Sequence, residues 1–297
     1  MNDVTTSTQK GSGTTTQEDR TPPQKYNRRQ LSYANTFSNP FKATAIRAVE
    51  WMTGKWILLR LIRKFEKQGL VEGQAFWRRA LNIMGIELKT PIEQIRNIPA
   101  TGPVVIVANH PHGMVDGMIL AELIGYVRED YKILTRSLLT PVKEIRQFMI
   151  PVPFPHEEDS FKKSLEMRRE VMKVLADGGL IVLFPSGVVA SSKTFFGPVE
   201  EAEWNPFTAK MILKSGATVV PVFFPGRNTR LYLIANLISA TIRQGLLLHE
   251  VVKALNKPQA PVVGTPFDPD DIKSWSSNTS GFMAWMRERT LALGNKN

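Results

Sequence analysis

The 297-residue sequence contains no cysteine, which excludes disulfides, thiolate metal sites and covalent cysteine intermediates. It also lacks a predominantly apolar run of about 18 residues, so no transmembrane helix is predicted. The longest uncharged stretch, residues 97–115, contains three prolines and cannot form one helix. Residues 1–24 have no apolar core typical of a secretory signal, so we expect a cytoplasmic protein.

Histidine is scarce as well, and its placement is informative. Two of the four histidines, His110 and His112, lie with Asp116 in the stretch VANHPHGMVDGM. A histidine beside a carboxylate can transfer protons near neutral pH. Taken alone, the same residues also fit a structural turn in which Asp116 begins a helix and His110 bonds locally.

Positive charge is abundant and unevenly distributed. The net charge is +11, and residues 25–67 contain ten Lys or Arg and two Glu. A basic block of this kind suits an anionic surface, either a membrane or a nucleic acid.

The basic block overlaps a predicted helical segment over residues 39–70. We predict that residues 1–38, rich in Thr, Ser, Gln and Gly, are disordered. The helical segment has an apolar stripe at helical spacing, opposite a basic face. Its predicted membrane-docking residues are Trp51, Trp56, Arg60, Arg63, Lys64 and Lys67. Docking on anionic lipid and a merely solvated face both remain open; nucleic acid is not expected as a partner.

From residue 71 onward, buried strands alternate with helices, which predicts an α/β domain over 71–297. The expected fold is a layered, mostly parallel sheet flanked by helices, with its site at the carboxyl ends of the strands. The predicted strands are 103–108, 131–135, 180–184 and 218–224. The predicted helices are 73–84, 115–126, 160–177, 204–215, 231–255 and one that closes the chain.

Three of these strands end in compact turns rich in Gly, Pro and polar residues. The turns are NHPHGMVD (109–116), FPSGVVAS (184–191) and VPV (220–222) with the residues that follow it. Parallel strands would bring these turns together. In this order they resemble the motifs of the glycerophospholipid (1-acylglycerol-3-phosphate-type) acyltransferase family. The first turn is most similar to the bacterial hemolysin-like branch, which includes acyltransferases that form ornithine lipids and other aminolipids.

The resemblance implies a fold, a reaction and a set of site residues. The fold is that of glycerolphosphate acyltransferases, and the reaction moves a fatty acyl group from acyl carrier protein or coenzyme A to a lysolipid hydroxyl. No further cofactor or metal is implied. His110 corresponds to the general base and Asp116 to the residue that orients it. The substrate-binding residues expected by analogy, or by position, are Asn109, His112, Gly113, Arg136, Pro185, Ser186, Gly187 and Pro221.

Departures from the family motifs bear on the acceptor. Five residues separate His110 from Asp116, where the family has four, and Ser186 and Val189 replace the glutamate and arginine of the third motif. The arginine of the second motif also has no counterpart. We therefore expect a lyso-aminolipid, such as lyso-ornithine lipid, in preference to lysophosphatidic acid. The expected location is the cytoplasmic face of the inner membrane, as a peripheral protein.

Three other functions are weighed against this one. Lysophosphatidic acid acyl transfer is the nearest alternative. A metal-dependent hydrolase could use His110, His112 and Asp116, although Met114 stands where a common metal motif has aspartate. A non-enzymatic membrane-binding protein would explain the basic block but not the three polar strand ends.

Overall fold

The computed structural model describes residues 25–27, 31–36, 39–135, 142–153 and 159–296. Within these ranges, short apolar runs form the six strands of one sheet. The strands are β1 (Val104–Ala108), β2 (Tyr131–Thr135), β3 (Met149–Pro151), β4 (Leu180–Leu183), β5 (Thr218–Phe223) and β6 (Val262–Val263). Their order is β3-β2-β4-β1-β5-β6, and all neighbours are parallel except the pair β5 and β6.

Helices cover both faces of this sheet. One layer consists of α2 (Lys55–Lys67), α3 (Ala75–Met84), α5 (Met114–Gly125) and α9 (Ala240–Ala254). The opposite layer consists of α6 (Ser160–Ala176), α7 (Pro206–Ser215), α10 (Pro269–Ser274) and α11 (Thr279–Ala292). The helices α1 (Pro40–Met52), α4 (Ile92–Ile95) and α8 (Arg230–Ile238) complete the described set.

The central strand β1 shows how the sheet is buried on both faces. Its side chains alternate, so that Val104, Ile106 and Ala108 pack on the first layer and Val105 and Val107 on the second. All five are fully buried. The continuous apolar run of β1 is therefore explained by burial on both faces of a parallel sheet. The predicted fold class is confirmed.

The N-terminal helical segment consists of two helices that meet at Gly54. This glycine has φ +108, a left-handed conformation that L side chains rarely adopt, and it lies between the end of α1 and the start of α2. In α2, Leu58 and Phe65 face the core, while the basic side chains from Arg60 onward face outward. No helix in the described ranges is both long and apolar enough to span a bilayer.

Residues 31–36 correct the predicted extent of the disordered tail. Tyr33–Thr36 form a 3-10 turn, and Ala34 is fully buried against α1. The buried carboxylate of Glu50 accepts hydrogen bonds from the Ser32 hydroxyl at 2.7 Å and from the Tyr33 amide at 2.8 Å. It also pairs with Lys55 at 2.8 Å. The composition of this segment predicts disorder, but the Glu50 carboxylate of α1 accepts its hydrogen bonds and so orders it.

A second correction concerns the apolar stretch predicted as one helix over 231–255. It forms α8 and α9, which are separated at Ser239. Ser239 has extended backbone with φ −159, and its hydroxyl accepts from the Ile242 amide as the cap of α9. The short edge strands β3 and β6 were also not predicted, because two or three residues carry no measurable periodicity.

The strand order decides where a site can form. β1 lies between β4 and β5, so the three polar turns that follow these strands meet at one edge of the sheet. This is the edge at which parallel α/β sheets place their ligands.

Candidate active site

The site begins where β1 ends and the chain turns into α5. Asn109 joins this end of β1 to the end of β5: its side-chain amide donates to the Phe224 carbonyl at 2.9 Å, and its side-chain carbonyl accepts from the Phe224 amide at 2.7 Å. Gly113 has φ +75 immediately before α5, a conformation that favours glycine. Both residues fix the turn that carries His110 and His112.

Asp116 lies in the first turn of α5 and is fully buried. Its Oδ2 lies 3.0 Å from His110 Nδ1 and accepts from the His112 backbone amide at 2.9 Å. Its Oδ1 lies 3.0 Å from His112 Nδ1. One carboxylate therefore holds two imidazole rings, each through Nδ1, and Nε2 remains as the second nitrogen of each ring.

The electrostatics of this triplet favour an ionised Asp116. Burial alone would raise the pKa of Asp116, but hydrogen bonds from His110 and His112 outweigh burial and hold the pKa below its ordinary value. Burial likewise would lower the pKa of His112. Its hydrogen bond to Asp116 and the charge of that carboxylate outweigh this effect, so the pKa of His112 is raised.

The backbone and ring of His110 are held independently of Asp116. The ring stacks on Phe184, with centroids 4.0 Å apart. The His110 carbonyl accepts from the Ala190 amide at 2.9 Å, and the His110 amide donates to Glu201 Oε2 at 3.1 Å. An imidazole fixed in this way is suited to proton transfer at Nε2 without a large rearrangement.

His110 lines a cavity of about 370 Å³ between the sheet edge and the surrounding helices. Of the residues predicted to bind substrate, Gly113, Pro185 and Gly187 also line it. Arg136 lies outside the described residues.

Three other residues predicted to bind substrate, Asn109, His112 and Pro221, do not line this cavity. Asn109 uses its amide to tie two strands together, and the Pro221 carbonyl, in β5, accepts from the Gly264 amide at 2.9 Å. His112 turns away from the cavity, toward Gly226. Of these three residues, none is among the described side chains that line the cavity around His110. They position the turns of the site instead.

The turn after β4 uses its own polar groups locally. The Ser186 hydroxyl donates to the Val188 carbonyl at 2.9 Å, so it caps the turn. The Gly187 amide donates to the Phe184 carbonyl at 2.9 Å. The amide of Gly187, a residue predicted to bind substrate, is therefore already engaged within the turn.

Glu201 is a site residue that the sequence analysis missed. Its buried carboxylate accepts from the His110 amide and, at 3.3 Å, from Trp204 Nε1. Burial raises the pKa of Glu201, although hydrogen bonds from the His110 amide and Ser186 act in the opposite direction. Glu201 lies between the turns 184–191 and 220–222 in the sequence, outside every motif, so only the packed structure identifies it.

A second, more apolar cavity of about 520 Å³ adjoins the first. It lies between α2, α3 and α5, and its walls include Leu61, Ala80 and Ile83. Met114 and Met118 of α5 line both cavities, so the two spaces meet at these side chains.

The predicted membrane-docking side chains lie on the outer surface. Trp51 and Trp56 are 54% and 53% exposed. Four of the five basic side chains of α2 are also exposed: Arg60, Arg63, Lys64 and Lys67. Lys55, in contrast, is buried and paired with Glu50, so it adds no charge to this surface.

Within the described ranges, no cluster of three or more His, Cys, Asp or Glu side chains is arranged to hold a metal ion. The described residues therefore supply no ligand set for the metal-dependent hydrolase alternative.

The chain resembles the crystal structure of the 1-acyl-sn-glycerophosphate (LPA) acyltransferase PlsC from Thermotoga maritima, with 15% identity and a TM-score of 0.48. The alignment covers 85% of this chain and 95% of that chain.

Curated relatives and a family model give a closer match in sequence. The chain is 26% identical over 188 residues to a lyso-glycine lipid O-acyltransferase of Phocaeicola vulgatus, and 24% identical over 188 residues to one of Bacteroides thetaiotaomicron. Each match covers 61% of this chain and 65% or 66% of the relative, so the chain spans slightly less than two thirds of either relative's length. The family model described as "Acyltransferase" matches residues 73–257, more than half of the chain. The chain therefore belongs to the acyltransferase family.

Proposed function

We propose that this protein is an O-acyltransferase that moves a fatty acyl group from an acyl thioester to the hydroxyl of a lysolipid. The donor is acyl carrier protein or coenzyme A carrying the acyl chain. The observation that carries the proposal is the His110–Asp116 pair, with His110 on the wall of a cavity and Asp116 buried behind it. Family membership supports the same reaction class.

The geometry suggests a specific role for each group of the pair. With Nδ1 of His110 donating to Asp116, Nε2 is the basic nitrogen. Nε2 takes the proton of the acceptor hydroxyl as that oxygen attacks the thioester carbonyl carbon. The carbon–sulfur bond then breaks, and the imidazolium returns the proton to the departing thiolate. Asp116 keeps the ring oriented and stabilises its positive charge, as in other carboxylate–histidine pairs.

His110 is a better choice of base than His112. Both rings bond to Asp116, but His110 is the one that lines the cavity, while His112 faces Gly226. Direct transfer from a thioester needs no acyl-enzyme, so the lack of cysteine is no obstacle.

For the acceptor we propose a lyso-aminolipid. The two relatives are named lyso-glycine lipid O-acyltransferases, which supports a lysolipid with an amino-acid headgroup. Lyso-ornithine lipid belongs to the same chemical class. Ser186 and Val189 stand where the resembled family has charged residues, which argues against lysophosphatidic acid.

The apolar cavity suits the acyl chain of the donor. Its walls are mainly aliphatic and aromatic side chains, and it meets the His110 cavity at Met114 and Met118. A thioester carbonyl near His110 could therefore extend its chain between α2, α3 and α5. Burying the chain there removes apolar surface from water.

Docking on the cytoplasmic face of the inner membrane completes the proposal. The exposed tryptophans Trp51 and Trp56 and the basic face of α2 suit an anionic lipid surface. A peripheral protein held there would meet lysolipid acceptors directly.

The test is a transfer assay with the full chain. Purified protein is given acyl carrier protein or coenzyme A carrying a fatty acyl group, with lyso-glycine lipid, lyso-ornithine lipid or lysophosphatidic acid as acceptor. Mass spectrometry should detect the diacylated aminolipid as the main product. Faster formation of phosphatidic acid would favour the alternative acceptor, and no product with any acceptor would reject the proposed function.

A further inference from the structure

The cavity around His110 has an unusual distribution of charge. Apart from His110 and one arginine, the described residues that line it are apolar or neutral. Among the described residues that line it, Arg243 of α9 is the one with a permanent charge. The sequence offers no motif around this position, and Arg243 belongs to a helix far along the chain from the catalytic turn.

Arg243 differs in its partners from the two described arginines that form ion pairs, Arg78 and Arg128. Arg78 pairs with Glu122 at 2.9 Å, and Arg128 pairs with Asp130 at 2.6 Å. Arg243 is half-buried and donates to the neutral side-chain carbonyl of Asn236 at 2.9 Å. Within the described ranges, no carboxylate forms an ion pair with it.

A half-buried guanidinium without a counter-ion favours an anion. Partial desolvation makes the charge costly until a negative group approaches, and the planar donor fork matches a carboxylate with two parallel hydrogen bonds. The neighbouring Tyr232 is neutral at physiological pH, because burial raises its pKa to about 12 even though the Arg243 charge opposes this shift. Tyr232 therefore does not supply the missing negative charge.

We propose that Arg243 binds the headgroup carboxylate of the acceptor and so determines acceptor specificity. An amino acid joined to a lipid through its amine keeps a free carboxylate. Such an acceptor can place its hydroxyl at His110 and its carboxylate at Arg243 within one cavity. This inference rests on the proposed function and names the group that the site recognises. Among the substrate-binding residues predicted from the sequence, the one with a permanent charge is Arg136.

The experiment compares two acceptors in neutral detergent micelles, lyso-glycine lipid and its methyl ester, which lacks the negative charge and carries one additional methyl group. Charge-assisted hydrogen bonds are strong enough that the unaltered enzyme should prefer the acid by about 10- to 100-fold in kcat/KM. Arg243→Gln should bring this ratio close to one, mainly by raising KM for the acid. Arg243→Lys should retain part of the preference. Arg169→Gln, which removes an equal charge from an exposed position on α6, should keep the full ratio.

Several results would overturn the assignment. If Arg243→Gln slows both acceptors equally, Arg243 only supports α8 and α9 through Asn236. If Arg136→Gln removes the preference and Arg243→Gln does not, the carboxylate site is elsewhere. A stronger loss with lysophosphatidic acid than with lyso-glycine lipid would identify a phosphate site instead.

Two further outcomes distinguish a failure of the Arg243 assignment from a failure of the proposed function. The unaltered enzyme must itself prefer the acid, so equal rates with acid and ester overturn the inference even if Arg243→Gln does not fold. Transfer to neither acceptor would contradict the proposed function itself. Transfer without charge preference would contradict the Arg243 assignment alone.

Discussion

At the residue scale, the site depends on one buried carboxylate that holds two imidazole rings. Asp116 contacts His110 through Oδ2 and His112 through Oδ1, so the two histidines occupy different oxygens. Loss of one ring leaves the other contact in place. The two histidines can therefore be separated by mutation.

The first prediction uses this separation. His110→Ala and Asp116→Ala should each lower the transfer rate by about 10²- to 10⁴-fold, the usual contribution of general-base catalysis. His112→Ala should retain substantial activity, because His110 Nδ1 keeps its own oxygen of Asp116. Steady-state rates measure the effect of each substitution, and circular dichroism spectra of the same variants control for folding. Full activity in the His110 variant, with loss in the His112 variant, would show that the base is His112.

The second prediction concerns the stability contributed by His112. Its folded-state pKa is raised above the ordinary value of about 6.5. Its ionic contribution is therefore complete below that ordinary value and is lost as pH rises through the raised folded pKa. The melting temperature lost on His112→Ala should be larger at acidic than at alkaline pH. If the loss of melting temperature is the same at acidic and at alkaline pH, the His112 ring contributes to stability through packing alone.

At the element scale, α2 combines two faces with different tasks. Leu58 and Phe65 are buried in the core, while the tryptophan and basic side chains of this region lie outward. The inward face also contributes to the apolar cavity through Leu61. One short helix thus connects the proposed membrane surface to the proposed acyl-chain site.

The third prediction tests the outer face of α2. Each basic residue near an anionic bilayer contributes about 1 kcal/mol, so replacing Arg60, Arg63, Lys64 and Lys67 with glutamine should lower liposome partitioning by roughly 100-fold or more. Flotation with anionic liposomes measures the effect, which should weaken with added salt.

A matched control removes the same charge from the opposite helical layer. The control variant replaces the exposed Lys162, Arg169, Lys173 and Lys214 of α6 and α7 with glutamine. It should still float with the liposomes. If the α2 variant floats equally well at physiological salt, the basic face of α2 is only a solvated surface.

At the scale of the whole molecule, two cavities meet between the sheet edge and the helices. Their shared wall, Met114 and Met118, lies on α5, which also carries Asp116. The chemistry and the apolar space are therefore built from the same helix. The length of the donor acyl chain that the enzyme accepts should therefore depend on the free volume of the apolar cavity.

The fourth prediction fills part of that cavity. Ala80→Leu in α3 places a larger side chain in the cavity wall and should shift the donor preference toward shorter acyl chains. Overpacking costs about 1–3 kcal/mol, so melting temperatures are measured in parallel. Ala75→Leu, an exposed position of the same helix, should leave the preference unchanged. A change in the preferred acceptor chain instead of the donor chain would reverse the assignment of the cavity.

The sequence by itself determined the elements whose signals are local. Short runs rich in apolar residues predicted four of the six strands within one residue at each end, because strands in the middle of a covered sheet have few polar positions. The sequence also placed His110 and Asp116 near the end of a strand, since the turn that contains them follows β1. Gly113 likewise lies in a turn that was predicted from local residues.

Tertiary structure decided the contacts between residues far apart in the chain. Asn109 bonds to Phe224, and Glu201 reaches the His110 amide, pairings that no local spacing encodes. Arg243 lines the cavity as a residue of α9, which begins after the break at Ser239. Local periodicity specifies which face of an element is buried, whereas only the packed sheet and helices specify which distant side chains meet there.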